Sequence, residues 1–424
     1  MALLSRSSAF SRVTALAERR PLHEAFRWLH LHGQQMLRWQ AELVAVPAPP
    51  FGEAARSFWI AEKFREASLD QVHTDAVGNV FGTLHGGSPD KNGPVILLSA
   101  HLDTVFPAET PLDPVLKDNR LEAPGACDNA AGVIGMLALA HALKQSFTES
   151  QMPAGATLIF AGNVGEEGEG DLRGVRSIYR HSPYAGHIAA HIVLDGAGAE
   201  TAVTQALGSR RYRVSISGPG GHSFTDAGTV NPILVLALAL NNLAQTPLPS
   251  FPADPRTTMN VGTIQGGTSV NTIPESATAA VEFRSTDVRQ LVRLEVALHR
   301  AVEDAVDGAN ASAQNHEKTS NIARFTIEKI GDRPAAELPG DSPLLEALRA
   351  VDRHLGLRTD LRLGSTDANL PLSLGIPAVS LGAGGDGGGA HTRAEWYSAV
   401  NRELGLRRIL MLTLAMMDWA GRRE

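Results

Sequence analysis

The chain has 424 residues, more than one simple hydrophobic core usually contains, and we therefore expect two domains. A hydrophobic content of 43% and a charged content of 20% are typical of globular proteins, and a net charge of -7 argues against nucleic-acid binding. No apolar stretch is long enough to span a membrane, and the single cysteine, Cys127, excludes an internal disulfide and suits a reducing compartment. We expect a cytoplasmic protein with no nucleic-acid or membrane partner.

The first part of the chain mixes predicted helices and strands. Residues 1–20 lack the apolar core of a secretory signal, and we expect a frayed terminus there. Apolar residues at helical spacing predict helices over residues 22–44 and 53–67. Short strands are expected at residues 71–75 and 79–84. A continuous apolar run, Val95–Ala100, predicts a strand buried on both faces of a sheet.

Polar side chains follow three of the predicted strands where each strand ends. They are His101 and Asp103 after residues 95–100, Glu166 and Glu167 after residues 156–161, and Asp195 at the end of residues 191–195. Ligands of open α/β sheets bind at the carboxyl ends of the strands. Each pattern alone has an ordinary alternative, such as a packed histidine beside a turn aspartate or a solvated acidic loop.

Two further segments place a charged or titratable side chain among small residues. Asp128 lies where a helix running to Leu143 should begin, and capping of that helix would explain an aspartate there. Capping does not explain the glycines and alanines on both sides, which allow another group to approach closely. His391 follows a glycine-dense loop at residues 382–389.

The pattern changes at about Gly208. The predicted elements are a strand at 212–217, a helix at 231–245, strands at 257–265 and 277–284, a helix at 287–306, whose end we place at Gly308, and a strand at 323–330. This βαββαβ order is that of the ferredoxin-like unit. We therefore expect a small domain over residues 208–331, inserted into a larger α/β domain of residues 1–207 and 332–424. The larger domain resumes with a helix at 342–355 and a strand at 377–381, and closes with a helix at 396–419.

Two histidines and several carboxylates form a mixed nitrogen and oxygen donor set. The set comprises His101, Asp103, Asp128, Glu166, Glu167, Asp195 and His391. Such donors suit zinc and, less exclusively, cobalt or manganese. There are too many acids for one structural zinc ion. The set fits two divalent ions that share a carboxylate, an arrangement found in enzymes that hydrolyse acyl or phosphoryl bonds.

The ordered motifs resemble those of the M20 metallopeptidase and deacylase family. They are His101-x-Asp103-Thr-Val, Gly125-x-x-Asp128-Asn, Glu166-Glu167, Asp195-Gly, Gly220-Gly-His222-Ser and His391-Thr. Each motif alone is weak, whereas the ordered set, from about residue 40 to the C-terminus, is specific. The loops at residues 266–271 and 364–369 are most similar to the di- and tripeptidase branch, which is peptidase T-like. Asn129 and Ala130 depart from the pattern, since relatives often carry Asp and Lys there.

The resemblance implies a zinc-exopeptidase-like α/β/α catalytic domain with an inserted ferredoxin-like lid through which the protein forms a homodimer. In it, His101 and Asp195 would hold one metal ion, Glu167 and His391 the other, and Asp128 would bridge the two. Glu166 would be the general base, Asp103 would hydrogen-bond to His101, and His222 of the lid would donate to the oxyanion. By local sequence alone, His222 is an ordinary histidine in a glycine-rich turn.

Three further positions are predicted to contact substrate. Asn271 and Arg284 match lid positions that bind substrate in relatives, although a surface ion pair explains Arg284 equally well. Asp367 could bind a free α-amine. Cys127 is expected to pack as a small residue beside the bridging aspartate.

Three functions agree with these residues. The first is a two-metal exopeptidase, aminopeptidase-like or tripeptidase-like, which releases residues from short peptides. The alternative is a deacylase of N-acyl amino acids, of the acetylornithine deacetylase or aminoacylase kind, because both reactions cleave an amide in the same way. A non-catalytic binding protein on the same scaffold is less favoured, because every matched position is filled. Asp367 favours the peptidase.

Overall fold

The computed structural model describes residues 8–86, 93–252, 254–313 and 322–422. The chain divides into two compact units. Met1–Ala206 and Glu337–Glu424 form the larger unit, and Leu207–Ala336 form the smaller one.

The first segment of the larger unit alternates helices and strands. In chain order these are α1 (Ala9–Ala17), α2 (Arg20–Leu31), α3 (Gly33–Val44), α4 (Ala54–Glu66), β1 (Asp70–Thr74), β2 (Val80–His85), β3 (Val95–His101), β4 (Val115–Lys117), β5 (Arg120–Glu122), α5 (Ala130–Ser146), β6 (Thr157–Asn163), α6 (Arg173–His181), β7 (Ile188–Leu194) and β8 (Thr201–Ala206). Short 3-10 turns lie at Glu149–Gln151 and Gly168–Gly170.

The smaller unit and the second segment of the larger unit complete the chain. The smaller unit contains β9 (Gly208–Ser217), β10 (Gly221–His222), α7 (Pro232–Ala244), β11 (Thr257–Gly266), β12 (Thr272–Ile273), β13 (Ser276–Ser285), α8 (Val288–Ala313) and β14 (Arg324–Arg333). At and after the boundary come β15 (Ala336–Glu337), α9 (Pro343–Leu355), β16 (Asp360–Gly364), α10 (Asn369–Ser373), β17 (Ala378–Leu381), β18 (Asp386–Gly388), β19 (Trp396–Ser398) and α11 (Arg402–Ala420).

The larger unit is built on a mixed sheet, which confirms the expected α/β class. Its strands lie in the order β1, β2, β6, β3, β7, β17, β8, and β16 also pairs with β8. The four central strands β6, β3, β7 and β17 are parallel, so their carboxyl ends meet at one edge. All seven residues of β3 are buried, as its continuous apolar run predicts for a strand covered on both faces. Thirteen of the residues of α5 are likewise buried.

Three expectations about helices in the larger unit are wrong. The expected frayed terminus contains α1, in which Ser8 caps the helix and Val13 and Leu16 are buried; residues 1–7 lie outside the described part of the chain. The helix expected over residues 22–44 is interrupted at His32, between α2 and α3. The closing helix begins at Arg402 rather than at residue 396, because residues 396–398 form β19 and pair with β5 and β18.

The smaller unit has the element order β9, α7, β11, β13, α8, β14 and a small ribbon, β10 with β12. Its sheet order is β11, β13, β9, β14, and every pair is antiparallel. The core lies between the sheet and the two helices and includes Leu236, Phe283 and Leu294. Helix α8 continues to Ala313, past Gly308, where it was expected to end.

A buried ion pair connects α9 and α11 in the larger unit. Arg408 Nε and Nη2 lie 2.6 and 2.7 Å from the two carboxylate oxygens of Asp352, and both residues are almost wholly buried. Arg408 also donates to the backbone oxygens of Thr201 and Glu200. Among the described helices, none combines the length and the apolar character that crossing a membrane requires.

Candidate metal centre

The carboxyl edge of the central strands gathers the polar side chains that the sequence analysis singled out. His101 is the last residue of β3 and lies beside Asn163, the last residue of β6. Glu166 and Glu167 follow β6, and Asp195 follows β7. Because these strands are parallel neighbours, their last residues are brought together by the sheet alone.

Asp128 lies between two histidines. Its Oδ1 is 3.1 Å from His101 Nε2, and its Oδ2 is 3.0 Å from His391 Nε2. A second carboxylate accompanies each histidine: Asp195 Oδ1 is 3.7 Å from His101 Nε2, and Glu167 Oε1 is 3.0 Å from His391 Nε2. The two oxygens of one carboxylate therefore face two separate sets of donors.

This donor set fits a divalent cation. Ligand atoms of His101, Asp128 and Glu167 all lie within 4.8 Å of one another. Two ligands bound tetrahedrally to zinc at about 2.0–2.1 Å are about 3.3 Å apart, close to the separations seen around Asp128. Asp128 Oδ1 is buried and accepts no well-formed hydrogen bond, although it is 3.1 Å from His101 Nε2. A buried carboxylate oxygen without a hydrogen bond is costly unless a cation satisfies it.

The pKa values of the cluster follow from its charges. For His101, burial opposes the charged form, but the adjacent carboxylates of Asp103, Asp128 and Asp195 outweigh it and raise its pKa. The hydrogen bond between His391 and Asp128 raises the pKa of His391 to about 9. Burial opposes the charged form of Asp128 as well, yet the two adjacent histidines lower its pKa. Burial, and then the charge of Asp128, raise the pKa of Glu167 to about 7. In the metal-free protein, protons on the imidazoles thus supply the positive charge that the carboxylates need.

Asp103 fixes the backbone of the two adjacent glutamates. Its carboxylate oxygens accept hydrogen bonds from the N–H groups of Glu166 at 3.0 Å and Glu167 at 2.8 Å. His101 Nδ1 lies 3.1 Å from the backbone oxygen of Asp103 and 3.6 Å from the nearer carboxylate oxygen. The hydrogen bond expected from His101 to this carboxylate stays a prediction.

Glu395 holds the loop of Asp128, although it is not among the site residues predicted from the sequence. Its side chain accepts hydrogen bonds from the N–H groups of Gly125 at 2.9 Å, Cys127 at 2.8 Å and Asp128 at 2.7 Å. The residue is only 1% exposed, and burial raises the pKa of its carboxyl group despite these three donors. In the sequence, only its position four residues after His391 connects Glu395 with the site.

Asn129, rather than Asp128, caps α5, so capping does not explain the aspartate. Asn129 Oδ1 accepts from the N–H groups of Gly132 and Gly196, and its Nδ2 donates to the backbone oxygen of Leu194. The same side chain therefore connects the start of α5 to the segment around Asp195. This position departs from the family pattern and nevertheless supports the site.

Two other positions near the cluster are buried. Cys127 is packed beside Gly387, and burial raises the pKa of its thiol to about 12, so it is a packed side chain as expected. Asp367 is completely buried and accepts a 2.6 Å hydrogen bond from Asn163 Nδ2; burial raises its pKa to about 6. Its other carboxylate oxygen, Oδ1, is buried and has no hydrogen-bond partner. Binding of a substrate amine by Asp367 stays a prediction.

In the smaller unit, ribbon pairing brings His222 and Asn271 together. His222 pairs with Thr272, and the N–H of Ser223 donates to the backbone oxygen of Asn271 at 3.0 Å. The N–H groups of Phe224 and Thr225 point at His222 Nδ1, at 3.2 and 3.4 Å. Since Nδ1 is the acceptor, the proton of the neutral ring is on Nε2, which leaves a donor on this exposed side chain.

Arg284 forms an ion pair within its own strand. Its Nε and Nη2 lie 2.8 and 2.9 Å from the carboxylate of Glu282, which Arg211 also contacts at 2.9 Å. Burial opposes the charged form of Glu282, but hydrogen bonds from Arg284 and then Arg211 lower its pKa. The surface ion pair, one of the two interpretations of Arg284, is therefore present in the structure.

Comparison with known proteins gives a family match over most of the chain. The profile of "Peptidase family M20/M25/M40" matches residues 97–415, which include every predicted ligand of the metal centre.

Several relatives are similar in sequence. YqjE, an uncharacterized protein of Bacillus subtilis, is 24% identical over 357 residues, which cover 81% of this chain and 88% of YqjE. A "Probable carboxypeptidase" of Aspergillus oryzae is 29% identical over 278 residues, covering 60% of this chain and 59% of that protein. A "Putative succinyl-diaminopimelate desuccinylase DapE" of Mycobacterium tuberculosis is 29% identical over 306 residues, covering 71% of this chain and 77% of that protein.

Solved structures share the fold. A tripeptidase from Staphylococcus aureus matches with a TM-score of 0.67 and 24% identity, over 92% of this chain and 99% of that one. A dinuclear metal-binding peptidase of the M20 family from Bacillus subtilis, YXEP, matches with a TM-score of 0.62 and 17% identity, over 92% of this chain and 99% of that one.

Zinc binding to the metal-free protein should become stronger as the pH rises. The pKa of His391, about 9, and the raised pKa of His101 keep both imidazoles protonated near neutral pH, whereas only neutral imidazole binds a metal. Below pH 9 the apparent Kd should therefore fall about tenfold per pH unit for each proton displaced. Calorimetric titration with zinc in two buffers of different ionisation enthalpy measures both Kd and the protons released.

His30→Gln is the matched control, because His30 is an exposed histidine that pairs with Glu403. This variant should leave the number of released protons unchanged. An affinity that stays constant between about pH 6 and about pH 9 would contradict the assignment of the two histidines as ligands.

Proposed function

The chain belongs to peptidase family M20/M25/M40 and is a hydrolase, and within that family we propose that it is a two-metal exopeptidase acting on short peptides. One observation carries the proposal: the two oxygens of Asp128 face His101 and His391 separately, at 3.1 and 3.0 Å. A carboxylate placed in this way can bridge two cations.

The proposed ligands divide into two groups around Asp128. His101 and Asp195 hold one ion, and His391 and Glu167 hold the other. The nitrogen and oxygen donors favour zinc, although cobalt and manganese also accept such ligands. When bound, the ions lower the pKa of a water molecule and polarise the carbonyl of the scissile amide.

Glu166 is the proposed general base. Glu166 is buried. The carboxylate of Asp103 accepts a hydrogen bond from its backbone N–H and another from the backbone N–H of Glu167. Glu167 has an extended backbone, and neighbouring side chains of extended chain point to opposite sides, so Glu166 can face substrate while Glu167 faces a metal. Glu166 would take a proton from the attacking water and deliver it to the nitrogen of the leaving amine.

The substrate class is proposed from sequence rather than from the metal centre. The loops at residues 266–271 and 364–369 resemble the di- and tripeptidase branch, which favours short peptides. Asp367 is completely buried, and its binding of a free α-amine remains part of the proposal. A deacylase of N-acyl amino acids is the second candidate, favoured by the similarity to the desuccinylase-type relative. We also keep the cytoplasm as the proposed location.

The smaller unit is the proposed lid and dimerisation domain. Among the described strands, β11 pairs only with β13, so its other edge is open. Val261 and Ile264 of β11 are 41% and 56% exposed. Leu234 and Leu238 of α7 are also exposed. An open strand edge with apolar side chains is suited to pairing with a second copy. His222 Nε2 would then donate to the oxyanion in the partner's site.

A substrate panel with metal analysis tests the proposed function. The purified protein should contain two zinc ions per chain and release the N-terminal residue of dipeptides and tripeptides. N-acetyl and N-succinyl amino acids test the deacylase, and peptides with a blocked N-terminus test release from the C-terminal end. Activity on acylated amino acids alone would reject the peptidase, and activity on blocked peptides alone would reject the aminopeptidase.

Glu166→Gln should retain zinc and lose turnover. The amide keeps the shape of the side chain but cannot accept the proton of the attacking water, so kcat should fall about 10²–10⁴-fold with little change in metal content. Single-turnover assays together with metal analysis measure both quantities. Glu169→Gln, in the exposed part of the same loop, is the control and should leave kcat unchanged. A Glu166→Gln enzyme with nearly full kcat would remove this residue from the role of base.

Mixing two inactive variants should restore activity if His222 acts in the partner's site. His222→Ala supplies an intact Glu166, and Glu166→Gln supplies an intact His222, so each mixed dimer has one complete site. Random exchange should give about a quarter of the wild-type rate, because about half of the dimers are mixed. Ile264→Lys, at the open edge of β11, should prevent dimer formation, which sedimentation experiments measure. The same change should therefore also prevent the recovery of activity in the mixture. Recovery that persists in a monomeric Ile264→Lys background would contradict the proposed interface.

A further inference from the structure

Phe51 occupies a turn position that glycine normally fills. The N–H of Gly52 donates to the backbone oxygen of Pro49 at 2.8 Å and closes the turn, and the φ angle of Phe51 is 69°. A turn with a proline, Pro50, as its second residue and a positive φ at its third is of type II, which favours glycine or asparagine at the third residue. A bulky aromatic residue in this conformation is strained.

Burial of the side chain does not compensate for this strain. Phe51 is 68% exposed, so its ring adds little to the core. The ring has a cation–π contact with Arg173, whose Cζ lies 4.9 Å from the ring centroid, but such contacts are weak at exposed sites. Residues held in strained backbone conformations are concentrated at active sites and ligand clamps. The turn therefore indicates that the exposed ring itself has a use.

Arg173 gives this ring a fixed support. Its Nη2 lies 2.6 Å from Oε2 of the buried Glu53, and its Nη1 donates to the backbone oxygen of Val77 at 2.7 Å. With the guanidinium fixed and the turn closed, the ring of Phe51 is held in place although it is exposed. A rigid aromatic side chain binds a ligand with little loss of conformational entropy.

The turn is connected to the loop of the proposed base. The N–H of Arg173 donates to the backbone oxygen of Gly165 at 3.2 Å, and a Cβ at Gly165 would lie 2.5 Å from Arg173 Cγ, so the two residues are in close contact. Glu166 follows Gly165 directly. At the start of the same turn segment, the backbone oxygen of Ala48 accepts the N–H of Thr104, which follows β3, at 2.9 Å. Phe51 thus lies beside the segments that carry site residues.

We propose that Phe51 is a specificity-determining residue: its ring forms the apolar wall of a subsite for a large apolar side chain of the peptide substrate. The inference rests on the proposed exopeptidase function and adds to it the type of side chain that the enzyme prefers. Arg173 lies against the ring, and the exposed remainder of the ring is available to the substrate. Apolar contacts between an enzyme and a substrate side chain change kcat/KM about tenfold or more.

Two variants of the full chain separate the ring from the strain. Phe51→Ala removes the ring and keeps a Cβ, and with it the unfavourable φ, whereas Phe51→Gly removes both. The substrates are trialanine and the three tripeptides in which one alanine is replaced by leucine. The wild type should prefer leucine at one of the three positions. Both variants should lose about tenfold in kcat/KM for that peptide and keep the wild-type value for trialanine.

Thermal unfolding of the same two variants tests the strain. Phe51→Gly should unfold at a higher temperature than Phe51→Ala, because glycine adopts a positive φ without steric cost. Loss of the leucine preference in the more stable of the two variants would show that the ring serves recognition rather than stability. A lower unfolding temperature for Phe51→Gly would remove the observation from which the inference starts and would overturn it.

Phe58→Ala is the matched control. Phe58 is also a strongly exposed phenylalanine, 70% exposed, but it lies within α4 and has no positive φ. Its replacement should leave kcat/KM unchanged for all four peptides. An equal loss of the leucine preference in Phe58→Ala would overturn the inference, since loss of any exposed aromatic ring would then have the same effect.

Two further results would overturn the inference and leave the proposed function intact. One is a wild-type leucine preference in Phe51→Ala, and the other is an equal loss of kcat/KM for trialanine and the leucine peptides. A wild-type protein that cleaves only N-acyl amino acids would instead reject the exopeptidase. The preference for N-acetyl-leucine over N-acetyl-alanine, compared between the wild type and Phe51→Ala, then decides the role of Phe51 by the same criterion.

Discussion

Negative charge collected at the carboxyl ends of four parallel strands is the constraint on which the rest of this structure depends. Asp103, Asp128, Glu167 and Asp195 lie at or just beyond the ends of adjacent strands and loops, and all are at least partly buried. Such carboxylates repel one another and lose solvation. The fold offsets this cost with imidazoles on both sides of Asp128 and with backbone N–H donors. A pair of bound cations would be the largest positive charge of all.

The hydrogen-bond partners of Asp103 and Glu395 differ from those of Asp128, the proposed bridging ligand. Both oxygens of Asp103 and both oxygens of Glu395 accept backbone N–H groups, which leaves these side chains occupied within the protein. Asp128 accepts no such bond at Oδ1, and its contacts are with histidine nitrogens. A carboxylate whose two oxygens both accept N–H groups fixes the backbone, whereas Asp128 has histidines on both sides and a buried oxygen without a hydrogen bond. Residue type alone does not separate the two roles.

The smaller unit contributes a different kind of chemistry. Within the described residues, the single cluster of three or more potential metal-binding side chains lies in the larger unit. What the smaller unit offers is a donor, His222 Nε2, whose tautomer is set by two backbone N–H groups directed at Nδ1. Such a donor can assist hydrolysis, as proposed, but it does not hold a metal ion.

The sequence by itself determined the elements and the residue types at the strand ends. Apolar runs and alternation are local properties, so the central strands, the long helices and the βαββαβ order of the smaller unit followed from them, and the motif order indicated the family. Local periodicity could not show the break at His32 or the strand at Trp396, because a chain reversal and a strand partner depend on distant residues.

Only the tertiary structure decided which side chains support the site. Glu395 and Asp128 are 267 residues apart, and Asn163 and Asp367 are 204 apart, so no local pattern reveals that they form hydrogen bonds. The burial of Asp367 and the pairing of Arg284 with Glu282 likewise follow from packing. The proposed ligand residues could be predicted from the sequence because their chemistry is distinctive. The groups that hold them are ordinary charged residues, and their roles arise only from what the fold places beside them.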